Sequence, residues 1–81
     1  MDVRVRLFGA EAAAAGRDSL TVTLTQPATC RDVVDALARS CPALQGLLAG
    51  TRVALNHEFA APDDPVRPGD EVALIGLVSG G

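Results

Sequence analysis

The chain has no lysine, tryptophan or tyrosine, and only two phenylalanines, Phe8 and Phe59. It has one histidine, His57, and two cysteines, Cys30 and Cys41. Each shortage excludes something. Without large aromatic rings the core has to be aliphatic. One imidazole and two thiols cannot complete a zinc site. No apolar run approaches the ~20 residues of a membrane span, and the N-terminal residues lack the apolar stretch of a signal peptide. No membrane association is expected, and the expected location is cytoplasmic. All seven basic residues are arginine. Coding bias in an Ala- and Arg-rich genome is one reading of that, and the functional one is that no side-chain amine is available as an acyl acceptor. The formal net charge of −3 argues against a nucleic-acid partner and for basic protein partners.

If both cysteines sit on one helix, eleven residues at 1.5 Å each separate them by ~16 Å along its axis. A disulfide needs Cα atoms within ~7 Å, so packed free thiols are expected instead.

The 81 residues are 48% hydrophobic, enough for a single domain (1–81) near the lower size limit of a self-supporting core. "DVRVRLF" (2–8) alternates, with Val3, Val5 and Leu7 on one side and Arg4, Arg6 and Phe8 on the other. "SLTVTLTQ" (19–26) repeats the pattern with Leu20, Val22 and Leu24 inward. Between them the alanine run bounded by Gly9 and Gly16 has room for a turn or two of helix. "PATCRDVVDALARSCP" predicts the main helix over about 30–40. Thr29 is its N-cap and Asp32 a short version of the capping-box acid. Val33, Leu37 and Cys41, with Val34 and Ala38, form the apolar face, and Pro42 ends it. Ala43 to Gly50 reads as an apolar loop with a short helical turn. "RVALN" (52–56) predicts a strand, Asn56-His57 a turn, and "EVALIGLV" (71–78) the last strand. Pro62, Pro65 and Pro68 are expected to keep the intervening loop out of regular ladders, and Pro68-Gly69-Asp70 makes a turn. Asp and Glu fall mostly in loops, where solvation is the default. His57 is expected in solvent without a carboxylate partner, and Asp63-Asp64 point apart.

One main helix following a hairpin lets the last strand run parallel beside the first. This is an α+β fold, a β-grasp, with a mixed sheet packed on one helix. The residues from about 77 onward, "LVSGG", then form either a frayed end or a projecting arm. Glycines at the tip suit a narrow channel, since they lack Cβ. No nucleophile–base pair, phosphate loop or metal cluster is recognisable, so the reactive group that stands out is the Gly81 carboxylate. Activated by ATP, it becomes an acyl-adenylate. A sulfur nucleophile displacing AMP then leaves a thiocarboxylate, an anionic and soft sulfur donor.

The stretches "VRVRLFG", "PATCRDVVDAL", "VALNHEF" and "PGDEVALIGLVSGG" resemble the small, sulfur-carrying subunits of molybdopterin synthase, in the ubiquitin-like MoaD/ThiS superfamily of sulfur carriers. The resemblance implies adenylation of Gly81 by an E1-like enzyme and sulfur relayed from a cysteine desulfurase or other sulfurtransferase. It implies insertion of the tail (Val78, Ser79, Gly80, Gly81) into the large subunit of the synthase. There, cyclic pyranopterin monophosphate receives two sulfurs from two carriers. Catalytic residues are then expected on the large subunit. The carrier itself binds no cofactor or metal, and ATP is used by the activating enzyme. By position, the family's partner-binding patch falls on Phe8, Phe59 and Ile75, next to Leu77. Two departures stand out. Gly76-Leu77 stands where members usually carry two prolines, and Ala12 and Ala13 stand in place of a Leu-Arg-Glu segment that many have after the first strand. A carrier for thiamine thiazole, cysteine synthesis, thiosugar formation or tRNA thiolation shares the fold and chemistry. A ubiquitin-like modifier of target lysines and an interaction module with an incidental tail are the readings from other classes.

Overall fold

The computed structural model describes residues 1–76. The alternating segment forms β1 (Asp2–Leu7), and the alanine run forms α1 (Gly9–Ala15), a helix of two turns. β2 (Ser19–Thr23) returns antiparallel to β1. The remaining elements are β3 (Ala28–Thr29), α2 (Cys30–Ser40), β4 (Thr51–Leu55), β5 (Glu58–Phe59), β6 (Pro65–Val66) and β7 (Val72–Gly76). Two 3-10 turns, Pro42–Leu44 and Leu48–Gly50, lead from α2 into β4. The main sheet has the order β2-β1-β7-β4-β5, with β7 parallel to β1 and antiparallel to β4. The expected mixed sheet, with its last strand inside beside the first, is the observed one.

α2 starts where its cap dictates. The Thr29 hydroxyl accepts from the Asp32 amide at 3.4 Å, and Asp32 Oδ2 accepts from the Thr29 amide at 2.8 Å. The helix buries Cys30, Val33, Ala36 and Leu37 against Val3, Val5, Leu7, Val22, Leu24, Val72 and Leu74. Of the expected helical face, Val34, Ala38 and Cys41 are half-buried flanks. Ala36 joins the core where Val34 was expected. Leu44, from the first 3-10 turn, completes the core.

Three expectations change. The second strand ends at Thr23 rather than Gln26, although Leu24 stays buried and donates its amide to the Met1 carbonyl at 2.8 Å. The proline-rich loop does form a ladder: β3 pairs with β6, Thr29 opposite Pro65 and Ala28 opposite Val66. A proline lacks only the donor, and in this two-residue ladder one carbonyl-bearing residue suffices. The same loop accepts from the first turn of α2, Cys30 N to Asp64 O at 3.0 Å and Arg31 N to Pro62 O at 2.9 Å. Finally, not every acid is solvated. Glu11, on α1, is 5% exposed, the one buried charged residue among those described.

Candidate functional site: the outer sheet face and the root of the tail

One face of the sheet meets α2, and the alternation of the strands fixes what the other face carries. Arg6 lies opposite Ala73, Ala73 opposite Ala54, and Ala54 opposite Phe59, giving one row across four strands. The next row pairs Ile75 with Arg52. Phe8 follows β1 with extended backbone (φ −137°, ψ 159°), so it keeps the outward alternation before Gly9, at φ +53°, turns the chain into α1. Phe8 is 43% exposed and Phe59 56% exposed, while Ile75 is half-buried. The small side chains of Ala54 and Ala73 leave a depression of about 140 Å³, bounded by Phe8, Ile75, Arg6, His57 and Glu71. The structure thus brings Phe8, Phe59 and Ile75 onto one surface, as the resemblance implies for the three and as alternation implies for Phe8 and Ile75. Large apolar groups exposed together on a small domain mark a contact surface.

Two arginines order the rings. The Arg6 guanidinium lies 5.3 Å from the centroid of Phe8, and that of Arg52 lies 4.7 Å from Phe59. At exposed sites such pairs contribute ~0.5–1 kcal/mol each, enough to bias ring orientation without locking it. Arg4 lies on the same side of β1, so arginines flank the two rings, with Asp2 at the far end of that strand and Glu71 at the margin of the depression. The net charge pointed to basic partners. Around the two rings the local sign is the opposite, and it complements carboxylates.

The β4–β5 turn places Phe59. Asn56 and His57 both have positive φ (51° and 71°), the geometry of a two-residue turn whose twist matches the strands. The Asn56 side chain clamps it to the loop before β7. Its Nδ2 donates to Asp70 Oδ1 at 3.2 Å, and its Oδ1 accepts from the Glu71 amide at 3.0 Å. The Arg67 amide donating to Asp70, together with Asn56, holds the exposed Asp70 carboxyl below its ordinary range. His57 has a carboxylate partner after all, Glu71 at 2.9 Å, but both side chains are largely exposed. That is a surface contact at the margin of the face. Asp63 faces Arg31 at 3.4 Å while Asp64 accepts from the Ala61 amide, so the adjacent acids do point apart.

The cysteines are free, Cys30 buried and Cys41 half-buried. Burial, then the nearby charges of Asp64 and Asp70, push the Cys30 thiol above its ordinary value. A thiol kept protonated is a poor nucleophile. Changing both cysteines to alanine is therefore expected to leave sulfur transfer intact and to reduce stability by ~1–2 kcal/mol, the usual range for a core truncation of this size. Urea unfolding alongside a transfer assay checks this. A folded double variant without transfer would place a thiol in the chemistry.

No group of three or more His, Cys, Asp or Glu able to hold a metal ion occurs among the described residues. No described helix is long and apolar enough to cross a membrane. The expected tail residues Leu77, Val78, Ser79, Gly80 and Gly81 lie outside the described residues. Their root does not. Gly76 closes β7 opposite Thr51, and its inward side-chain slot is occupied by the carboxyl group of Glu11. Sequence reasoning missed this contact.

Residues 5–81 match the ThiS family. The chain is 32% identical over 83 residues to the molybdopterin synthase sulfur carrier subunit of Chlamydomonas reinhardtii, covering 100% of both. It is 36% identical over 84 residues to small archaeal modifier protein 1 of Haloferax volcanii, covering 94% of this chain and 97% of that one. A crystal structure of SAMP1 from Haloferax volcanii, 32% identical, superposes with a TM-score of 0.90 and covers 100% of both chains. The fold also recurs in a protein–protein complex of subunits 1 and 2 of the molybdopterin-converting factor from Helicobacter pylori, at 23% identity, 100% coverage of both chains and a TM-score of 0.70. A match running through nearly the whole chain, on a β-grasp with an aromatic outer face, identifies the protein as a member of the ThiS family.

Proposed function

We propose that this chain is the sulfur-carrying small subunit of a molybdopterin synthase. The observation that carries the reading is the similarity to an algal sulfur carrier subunit along the full length of both chains. In this reading the Gly81 carboxylate attacks the α-phosphorus of ATP in an E1-like enzyme, and pyrophosphate leaves. A persulfide on a cysteine desulfurase or sulfurtransferase then attacks the acyl carbon and AMP leaves, and a thiol reductant cleaves the S–S bond of the resulting acyl disulfide to release the thiocarboxylate. The large subunit binds the outer face through Phe8, Phe59 and Ile75, with Leu77 beside them, and takes in the tail from Val78 to Gly81. Sulfur passes there to cyclic pyranopterin monophosphate. The chain supplies reach and an activated terminus and holds no cofactor of its own. Its place of work is the cytoplasm.

The similarity to small archaeal modifier protein 1 favours a second reading, attachment of Gly81 to amines of target proteins. Without lysine, the chain offers no side-chain amine to a second copy. Its N-terminal amine donates to the Leu24 carbonyl at 2.9 Å. Conjugates would then carry single copies.

Purification through an N-terminal tag, followed by identification of bound proteins and intact-mass measurement, separates the readings. A pterin-synthase large subunit in the eluate, with the mass increase of one oxygen replaced by sulfur, is the expected result. Thiazole synthase as the bound protein would assign another sulfur pathway, and conjugates on target lysines would assign the modifier role.

A further inference from the structure

Along β7 the inward positions are Val72, Leu74 and Gly76. The first two are filled with apolar side chains, 1% and 0% exposed. The third is filled from elsewhere. A Cβ built on Gly76 would lie 2.5 Å from Glu11 Oε1, 2.8 Å from Oε2 and 3.0 Å from Cδ. The Glu11 carboxyl group therefore occupies the slot in which residue 76 would otherwise place its own side chain. α1 brings it there. The ladder of β1 with β7 stops at Leu7 opposite Leu74, and the Phe8 carbonyl instead accepts from the amides of Glu11 at 3.1 Å and Ala12 at 3.3 Å. The first turn of α1 thus takes the place of β1 beside the end of β7. Ala12 and Ala15 pack on the core from the same helix, and Glu11 continues that inward face.

A carboxyl group is a poor choice for closing an apolar core, since burying polar atoms opposes folding and a leucine would not carry that penalty. Local violations of this kind concentrate where function requires them. This one sits at the last described residue before 77–81, against a glycine whose side-chain slot it fills.

We propose that Glu11 is a positioning residue for sulfur transfer: seated in the side-chain slot of Gly76, it fixes the direction in which the backbone leaves the sheet toward Gly81. The proposal rests on the sulfur-carrier reading. Its physical basis is leverage. Five residues from Gly76 to Gly81 span about 17 Å when extended, so a 10° change at the root moves the terminus by about 3 Å. Displacements of ~1 Å in reacting groups already reduce rates by about a hundredfold. The outer-face part of docking lies on the opposite side of β7 from this group.

The test uses the full chain and its activating enzyme, with single-turnover rates and partner affinity measured separately. Glu11→Leu is expected to keep or raise the melting temperature and to leave partner Kd within about twofold, yet to slow adenylation and transfer at least about tenfold. Glu11→Gln, which keeps the shape and an acceptor oxygen, is expected to lose no more than about threefold. Gly76→Ala pushes the flexible carboxyl group out of its slot with little effect on melting, and is expected to match Glu11→Leu. The double variant of these two is expected to be no slower than either alone, because they remove one contact. Wild-type rates in Glu11→Leu, or a loss that follows Kd or melting, would overturn the proposal. Wild-type protein inert in the same assay would instead overturn the sulfur-carrier reading. In that case hydrogen exchange at the Gly76 amide decides the contact: unchanged protection in Glu11→Leu refutes it, and a loss of about tenfold supports it.

Discussion

A chain extended by one alanine after Gly81 is expected to lose sulfur transfer completely while melting as the parent does, and a chain lacking Gly81 is expected to behave in the same way. Deletion retracts the terminal carboxylate by about 3.5 Å, one extended residue, and addition advances it by as much. The added alanine also places a methyl group beside the acyl carbon, where glycine leaves the approach open. Adenylation requires the carboxylate oxygen in line with the α-phosphorus, and misplacement far below 3.5 Å already costs about a hundredfold. Neither terminus fits. The core and the ladders holding β7 are built from residues up to Gly76. Melting is thus expected to stay within about 3 °C, the equivalent of ~0.5 kcal/mol in a domain of this size. Pyrophosphate release, product formation and thermal melting on all three chains check the prediction. Normal transfer by the extended chain, shown by mass to be unprocessed, would remove Gly81 from the chemistry and with it the carrier mechanism.

What could be read from the sequence depended on contrast between neighbouring side chains. In β1 every second residue is apolar and the others are arginine or aspartate, so both faces were legible and Phe8 could be placed on the outer one before any coordinates. α2 announced its start through Thr29 and Asp32 and its end through Pro42. β7 was placed by its apolar run and by the rule that a crossover helix returns a strand parallel to the first. α1 offered no such contrast. In "GAEAAAAG" every position but one is small and apolar, so no period separates an inward from an outward face, and nothing marks Glu11 as inward. The inward phase is set instead by where Gly9 turns the chain and by which alanines, 12 and 15, touch the core. The β3–β6 ladder was illegible for a different reason. Two residues carry no period, and proline argues against a strand unless its missing donor is not needed. Asn56 belongs to the same class. Its turn was legible, but its clamp on Asp70 and Glu71 joins residues about fifteen apart that only the fold brings together.

Truncating the outer face is expected to weaken binding of the large subunit by ~1–3 kcal/mol for each of Phe8→Ala, Phe59→Ala and Ile75→Ala, the range of interface anchors. The register argues that the three act on one partner. Ile75 and Phe8 border a depression floored by alanine, and Phe59 lies opposite one of those alanines, Ala54. The two exposed rings leave the fold largely indifferent to their loss, so melting controls should separate affinity from stability for Phe8 and Phe59. Ile75 is half-buried, and its variant needs that control most. Arg6 and Arg52 add a second, separable signature. Each stacks on a ring and each carries charge, so a partner built for this face sets carboxylates around its apolar contacts. Arg6→Glu or Arg52→Glu should therefore slow association by about tenfold or more at low salt, with the difference shrinking as ionic strength approaches ~0.5 M. The alanine substitutions should act mainly on dissociation and keep their effect in high salt, because burial of apolar area is not screened. Stopped-flow association and titration calorimetry distinguish the two patterns. Unchanged affinity in all three truncations would exclude this face as the docking surface. Faster association of the arginine-to-glutamate variants would show that the partner is basic, as the net charge of −3 alone implies.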